Sequence, residues 1–264
     1  MTEATRTPLA FSRDGGVVTL TFDRPDLGNA LTNAAAQQLG EVVDEIAADP
    51  SVRVLVLTGN GKMFCAGGDI REFTLAADRL PDLIADGLIP LNRMLVKLAA
   101  LPIPVITALN GPVAGGGIGL ALTADVVIAA ASARFRAGYA AIGLSPDAGT
   151  SFHLTRLIGP QRAKEFLFTN RFIDAPEALA IGLVAKVVPD EELASETAAL
   201  ARTIASLPAG SHAAAKALVN AAVDTPHADV LALERTRIVE NAASADSREG
   251  IRAFMERRRP AFAS

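Results

Sequence analysis

Met63-Phe64-Cys65-Ala66-Gly67-Gly68-Asp69-Ile70 and Asn110-Gly111-Pro112-Val113-Ala114-Gly115-Gly116-Gly117-Ile118-Gly119 decide how this chain is read. Each stretch follows a strand-like apolar run, residues 52–58 and 104–108. Each places glycine or alanine where a backbone can come close to a ligand and aim its N–H groups at it. Glycine clusters after strands are ordinarily turns, so neither stretch alone carries a function. A phosphate cradle fits poorly. Residues 111–119 lack the Gly-Lys-Ser/Thr of a P-loop, and Gly115, Gly117 and Leu120 break the Gly-x-Gly-x-x-Gly spacing of a dinucleotide fold.

Outward from these stretches the pattern is strand, loop, helix. Residues 9–13 and 17–22 flank Asp14-Gly15-Gly16 and predict a hairpin. From Thr32, an expected N-cap, Leu39, Val42, Val43 and Ile46 recur at helical spacing until Asp49-Pro50. Further units are a helix over 88–100, a short helix after Gly115 and a strand over 125–130. The alternation implies mixed α/β layers. Residues 71–88 carry no decisive pattern and are open to being mobile. After Lys186-Val187-Val188 the grammar becomes helical: a stripe from Leu193 to Leu207, then helices over 213–223 and 230–243, punctuated by Pro208 and Pro226. The expected division is an α/β core over 1–206 and a helical region over 207–264, whose apolar faces need the core or other subunits to cover them.

With 264 residues, half of them hydrophobic, the chain can bury a sizeable core. No apolar stretch reaches the roughly 20 residues of a membrane span. The first eight residues are polar and lack a signal core, so a cytoplasmic location is expected. One cysteine, Cys65, rules out an intrachain disulfide framework, and the three histidines lack ligand spacing, so no metal is expected. A net charge of −4 disfavours nucleic acid as a partner. Arg252, Arg257, Arg258 and Arg259 still form a local basic cluster near the C-terminus.

Taken together the landmarks resemble the crotonase (enoyl-CoA hydratase/isomerase) superfamily. The likeness runs from Asp23-Arg24-Pro25 to Phe262 through Gly28-Asn29-Ala30-Leu31, Ala66-Gly67-Gly68-Asp69-Ile70, Gly115-Gly116-Gly117, Ala124-Asp125, Phe135, Gly149-Thr150, Gly182-Leu183-Val184 and the terminal Glu249-Gly250 segment. The resemblance implies a spiral of repeated β-β-α units with a C-terminal helical trimerisation region, assembled as a homotrimer or a dimer of trimers. It implies an acyl-CoA thioester substrate, with coenzyme A part of that substrate rather than a cofactor. It places the thioester oxygen on the amides of Ala66 and Gly116, an oxyanion hole, and adenine near Phe64, Ala66 and Ile70. Asp69, Gly115, Tyr139 and Phe262 complete the expected substrate contacts. Asp69 also reads as a loop-fixing residue and Tyr139 as a packed one, while Cys65 and His153 read as structural. The C-terminal arginines are either a solvated helix end or a receiver of the coenzyme A phosphates.

The hydratases of this family use two glutamates, and their positions here fall on Gly119 and Tyr139, neither of which is a carboxylate. Hydration requires one group to activate water and another to protonate the α carbon, so the loss argues against efficient hydratase chemistry. The remaining carboxylate is Asp147, in Leu144-Ser145-Pro146-Asp147-Ala148-Gly149-Thr150. It reads either as a helix cap or, by resemblance to the dienoyl-CoA and ring-epoxide isomerases and the chlorobenzoyl-CoA dehalogenase, as a group reaching the acyl chain. One carboxylate suits moving a β,γ double bond to α,β, because a single shuttle can take the α proton and return it at γ. The expected function is therefore an enoyl-CoA isomerase using Asp147. A hydratase and a non-catalytic acyl-CoA-binding protein are the alternatives.

Overall fold

The computed structural model describes residues 9–262. The polar first eight residues, on which the reading of localisation draws, lie outside them. The chain opens with an antiparallel hairpin, β1 (Leu9–Asp14) and β2 (Val17–Phe22), in which Asp14 pairs Val17 across a turn carrying Gly15 at φ 56°. Helix α1 (Asn33–Ala48) begins where Thr32 accepts the amide of Ala35 through its side chain, as expected of an N-cap. Strand β3 (Val54–Gly59) then pairs β2 in parallel.

Residues 71–88, without a pattern in the sequence, are almost wholly helical: α2 (Ile70–Ala76) and α3 (Leu80–Ala100) flank a 3-10 turn, so α3 starts well before the expected residue 88. Gly87 and Pro90 hid the helix, since both are poor helix formers. Gly87 serves packing instead. A Cβ there would fall 2.0 Å from Asn33 Oδ1, so the glycine lets α3 lie directly on the start of α1.

Strand β4 (Val105–Leu109) leads through β5 (Val113–Ala114) into α4 (Gly116–Leu122), then β6 (Val126–Ala130) and β7 (Arg134–Arg136). Helix α5 (Thr150–Thr169) is kinked at Gly159, and β8 (Phe172–Asp174), α6 (Ala175–Ala180) and β9 (Lys186–Val188) follow. The main sheet runs β1-β2-β3-β4-β6-β9, parallel beyond the hairpin, while β5, β7 and β8 form a small second sheet. Its central strands are apolar on both faces, as a covered parallel sheet requires. Leu55 and Leu57 point into the core with α1 and α3, whereas Val54, Val56 and Ile106 face Leu193 and Ala201 of α7 (Leu193–Ala205).

Helices α8 (Ala209–Ala222), α9 (His227–Ala242) and α10 (Ala245–Glu256) follow; α8 and α9 start directly behind Pro208 and Pro226, well before the expected residues 213 and 230. Neither α8 nor α9 buries a residue in the single chain. Lys216 of α8 reaches the core, donating to Asp125 and to the carbonyl of Ile103. No helix among the described residues is long and apolar enough to cross a membrane.

Candidate active site

The two glycine-bearing stretches meet as adjoining backbone. Phe64 N–H donates to the Pro112 carbonyl, and Ala114 N–H to that of Cys65, which makes Cys65 and Val113 a parallel bridge. Two asparagines fix the approach. Asn29 donates to the carbonyls of Asn60 and Met63, and Asn110 accepts the amide of Gly59 while donating to the carbonyl of Gly61. Gly67 sits at φ 88°, where a Cβ would lie 2.9 Å from the Ala114 carbonyl and 3.2 Å from the Gly116 nitrogen. Only glycine permits that approach.

Where the N–H groups point follows from the bridge between Leu31 and Gly68. Leu31 donates to the Gly67 carbonyl, and Asp69 donates back to the Leu31 carbonyl. Successive amides of an extended segment face opposite ways, so the Gly68 N–H turns away from Leu31. Gly116 is the first residue of α4, where an N–H has no partner within the helix. Gly68 and Gly116 line the same cleft, and Asp147 joins them there.

Asp147 stands in a turn of unusual backbone: Ala148 at φ 49° and Gly149 at φ 76° follow it, and only then does α5 begin. Left-handed alanine is disfavoured, and here it swings Asp147 out of the helix start. Gly149 is the cap residue and no side chain caps α5. Asp147 Oδ1 instead accepts the Tyr139 hydroxyl at 2.7 Å. A Cβ built on Gly116 would lie 2.9 Å from that Oδ1, so the carboxylate is packed against the glycine that presents the amide.

The cleft is narrow and opens to solvent at its mouth. Leu31 and Ala36 form one side, and Phe73, Leu83, Leu88 and Leu91 the other, with α2 and α3 as its wall. In this setting burial raises the proton affinity of Asp147, and the Tyr139 hydrogen bond opposes the rise. Glu72 also lines the cleft; burial and then the charge of Asp69 raise its proton affinity.

A family model described as enoyl-CoA hydratase/isomerase matches residues 12–264. The chain belongs to the enoyl-CoA hydratase/isomerase family. It is 38% identical over 247 residues to a "probable enoyl-CoA hydratase" of Rhodobacter capsulatus, covering 94% of each chain. It is also 38% identical over 248 residues to the 1,2-epoxyphenylacetyl-CoA isomerase of Escherichia coli, covering 94% of this chain and 95% of that one. Its fold is similar to the crystal structure of an enoyl-CoA hydratase from Bacillus anthracis, with TM-score 0.92, 32% identity and 97% and 99% of the two chains covered. The mixed α/β architecture is thus the crotonase fold, and the chain is an enzyme of that family.

Within this family member, several expected site residues lie elsewhere than the sequence suggested. The Ala66 N–H donates to the Gly28 carbonyl at 2.9 Å, so it is engaged and faces away from the cleft; Gly68, two residues on, takes its place beside Gly116. Phe64 is wholly buried, its ring edge-on to Phe22 with centroids 5.5 Å apart, and offers no side chain to adenine. Asp69 caps α2 through the Arg71 amide and also pairs the Arg71 guanidinium, which holds its carboxyl below the usual range. Ile70 is exposed at the start of α2, and Gly115, at φ 51°, precedes the presenting residue. Tyr139 lies behind Asp147 rather than on the cleft, and Phe262 lies against Gly250 of α10. Within the basic cluster, Arg258 is paired with Glu249 and Glu256.

Sequence reasoning missed Gly68 and Glu72. Glu72 carried a signal: Asp69-x-x-Glu72 is the spacing of a capping box, which would have placed a helix start at residue 70. The box is half used, since the Asp69 amide donates to Leu31 and the Glu72 side chain turns into the cleft. Cys65 is fully buried, its thiol pushed up to about 12 by burial, in keeping with a packing role. His153 bonds Thr123, and burial pulls it down to about 4.

Gly119 stands where the family resemblance puts the first hydratase glutamate. A Cβ there would fall 2.0 Å from the Ala148 carbonyl oxygen. The turn carrying Asp147 therefore occupies the space into which a side chain at residue 119 would project.

Proposed function

We propose that the chain is an enoyl-CoA double-bond isomerase, converting β,γ-unsaturated to α,β-unsaturated thioesters with Asp147 as sole proton shuttle. The observation carrying this reading is the contact between the Asp147 carboxylate and Gly116 in an apolar cleft, with the space at residue 119 filled by the Asp147 turn. With the thioester oxygen on the N–H groups of Gly68 and Gly116, the α carbon lies beside the carboxylate. Asp147 takes the α proton, and the C–H electron pair moves through the π system onto the thioester oxygen as a dienolate. The two amides and the positive end of α4 stabilise that charge. The dienolate then collapses, and Asp147 returns the proton to the γ carbon, restoring the thioester carbonyl with the double bond at α,β. One such donor is worth about 2.7 to 4 kcal/mol of transition-state stabilisation. Burial suits Asp147 to the task, because a carboxylate with a raised pKa is the stronger base.

Hydration is the second reading, and Glu72 is the observation that favours it, since a second carboxylate on the cleft could activate water. The apolar residues that α8 to α10 expose, among them Val219, Ile238 and Phe254, support association with further copies of the chain, as a homotrimer or a dimer of trimers. The test is a comparison of products from 3-enoyl-CoA and crotonyl-CoA thioesters. Isomerisation much faster than hydration supports the reading; comparable rates contradict it.

A further inference from the structure

Tyr139 is the only tyrosine of the chain, and the family resemblance puts a hydratase glutamate at its position. It opens the 3-10 turn Tyr139–Ile142 and is 7% exposed. Its hydroxyl lies 2.7 Å from Asp147 Oδ1 and 3.1 Å from Thr150 Oγ1, and Thr150 is fully buried. A phenol has one hydrogen to give. Burial and the neighbouring Asp147 raise the Tyr139 proton affinity, so the group stays protonated and its hydrogen goes to the carboxylate. Its oxygen is then left to accept from Thr150, whose alternative acceptor, the Gly115 carbonyl, is at 3.5 Å. The bonds run in one direction, Thr150 to Tyr139 to Asp147.

We propose that Tyr139 is a positioning residue for Asp147: held by Thr150, its hydroxyl engages Oδ1, fixes the carboxylate beside Gly116 and leaves Oδ2 to carry the transferred proton. The proposal rests on the reading of Asp147 as the shuttle. It differs from a direct substrate contact, because the Tyr139 hydroxyl is already committed on both sides. The hydrogen bond favours the ionised carboxylate against the effect of burial. No other charged group among the described residues is a cause of the Asp147 shift. Glu72 faces the carboxylate from α2 across the cleft, His153 of α5 is bonded to Thr123 and neutral, and α4 presents only glycines there.

The experiment measures kcat and KM for a 3-enoyl-CoA against pH in the wild type, Tyr139→Phe, Thr150→Val and Asp147→Asn. For Tyr139→Phe the expected result is a fall in kcat of about tenfold or more with KM changed by less than about threefold. Its acid limb should also move up by about one pH unit, because burial then acts unopposed. Thr150→Val should move the limb in the same direction by less, and it decides the matter if Tyr139→Phe does not fold. A uniform loss of kcat with an unmoved limb would make Tyr139 merely structural and overturn the proposal. A raised KM with kcat and limb intact would make it a substrate contact, with the same consequence. If Asp147→Asn is inactive while Tyr139→Phe behaves as wild type, this inference alone fails. If Asp147→Asn is active, the reading of the shuttle fails.

Discussion

Replacing Gly119 by alanine adds one methyl group, and the structure places it 2.0 Å from the Ala148 carbonyl oxygen. Ordinary contact would require that carbonyl to retreat by more than an ångström. It is backbone, pinned by the Asp147 carbonyl accepting the Thr150 amide at 2.9 Å and by Ala148 and Gly149 in left-handed conformations. Overpacking of this kind costs about 3 kcal/mol, the upper part of its usual range. Alanine in a helix interior recovers about 1 kcal/mol over glycine, so Gly119→Ala should lose about 2 kcal/mol of stability, read from the midpoint of urea unfolding. The larger effect is on turnover. Moving Asp147 by about 1 Å relative to Gly116 should lower kcat by about 100-fold. Gly119→Glu should be worse on both counts and gain no hydratase activity. A Gly119→Ala protein as stable and active as wild type would refute the idea that the Asp147 turn depends on glycine here, and so would hydration appearing in Gly119→Glu.

Glu72→Gln separates the two readings of the cleft: isomerisation by Asp147 alone predicts kcat within about threefold of wild type, whereas a more than 100-fold loss would make Glu72 a catalytic partner. In the wild type, activity requires ionised Asp147, whose pKa burial raises, so kcat should fall on acidification with a midpoint above the ordinary aspartate value of about 3.9. A midpoint at or below that value contradicts the assignment.

The architecture was legible because periodicity survives in single elements. The Thr32 cap, the Asp14-Gly15-Gly16 turn and the apolar runs of β3 and β4 each rest on local chemistry, and each appears as expected. Helix α3 was only half legible, since Gly87, which lets it lie on α1, and Pro90 are both poor helix formers. At the site, the meeting of the two stretches could be read from the residues, whereas a place for Asp147 at the acyl group came only from the family resemblance. Which amides are available could not be read. Ala66 and Gly68 differ in which way their N–H groups face, and that depends on the partners Gly28 and Leu31 in another segment. The capping reading of Asp147 failed for a related reason: the left-handed Ala148 that turns it away from α5 has no mark in the sequence.

The central claim is that Asp147 moves the proton, and Asp147→Asn tests it most directly. Asparagine keeps the size of the side chain and an oxygen to accept the Tyr139 hydroxyl. The sign of the linkage also favours folding. Asp147 holds its proton more tightly folded than unfolded, so its ionisation lowers stability as pH rises through the raised folded value, and a neutral side chain escapes that loss. Unfolding by urea should therefore show no loss of stability at neutral pH, and thioester binding by calorimetry should be near normal. Turnover of a 3-enoyl-CoA should fall by about 100-fold or more. A fully active Asp147→Asn enzyme, or one that loses folding and binding together, would contradict the account.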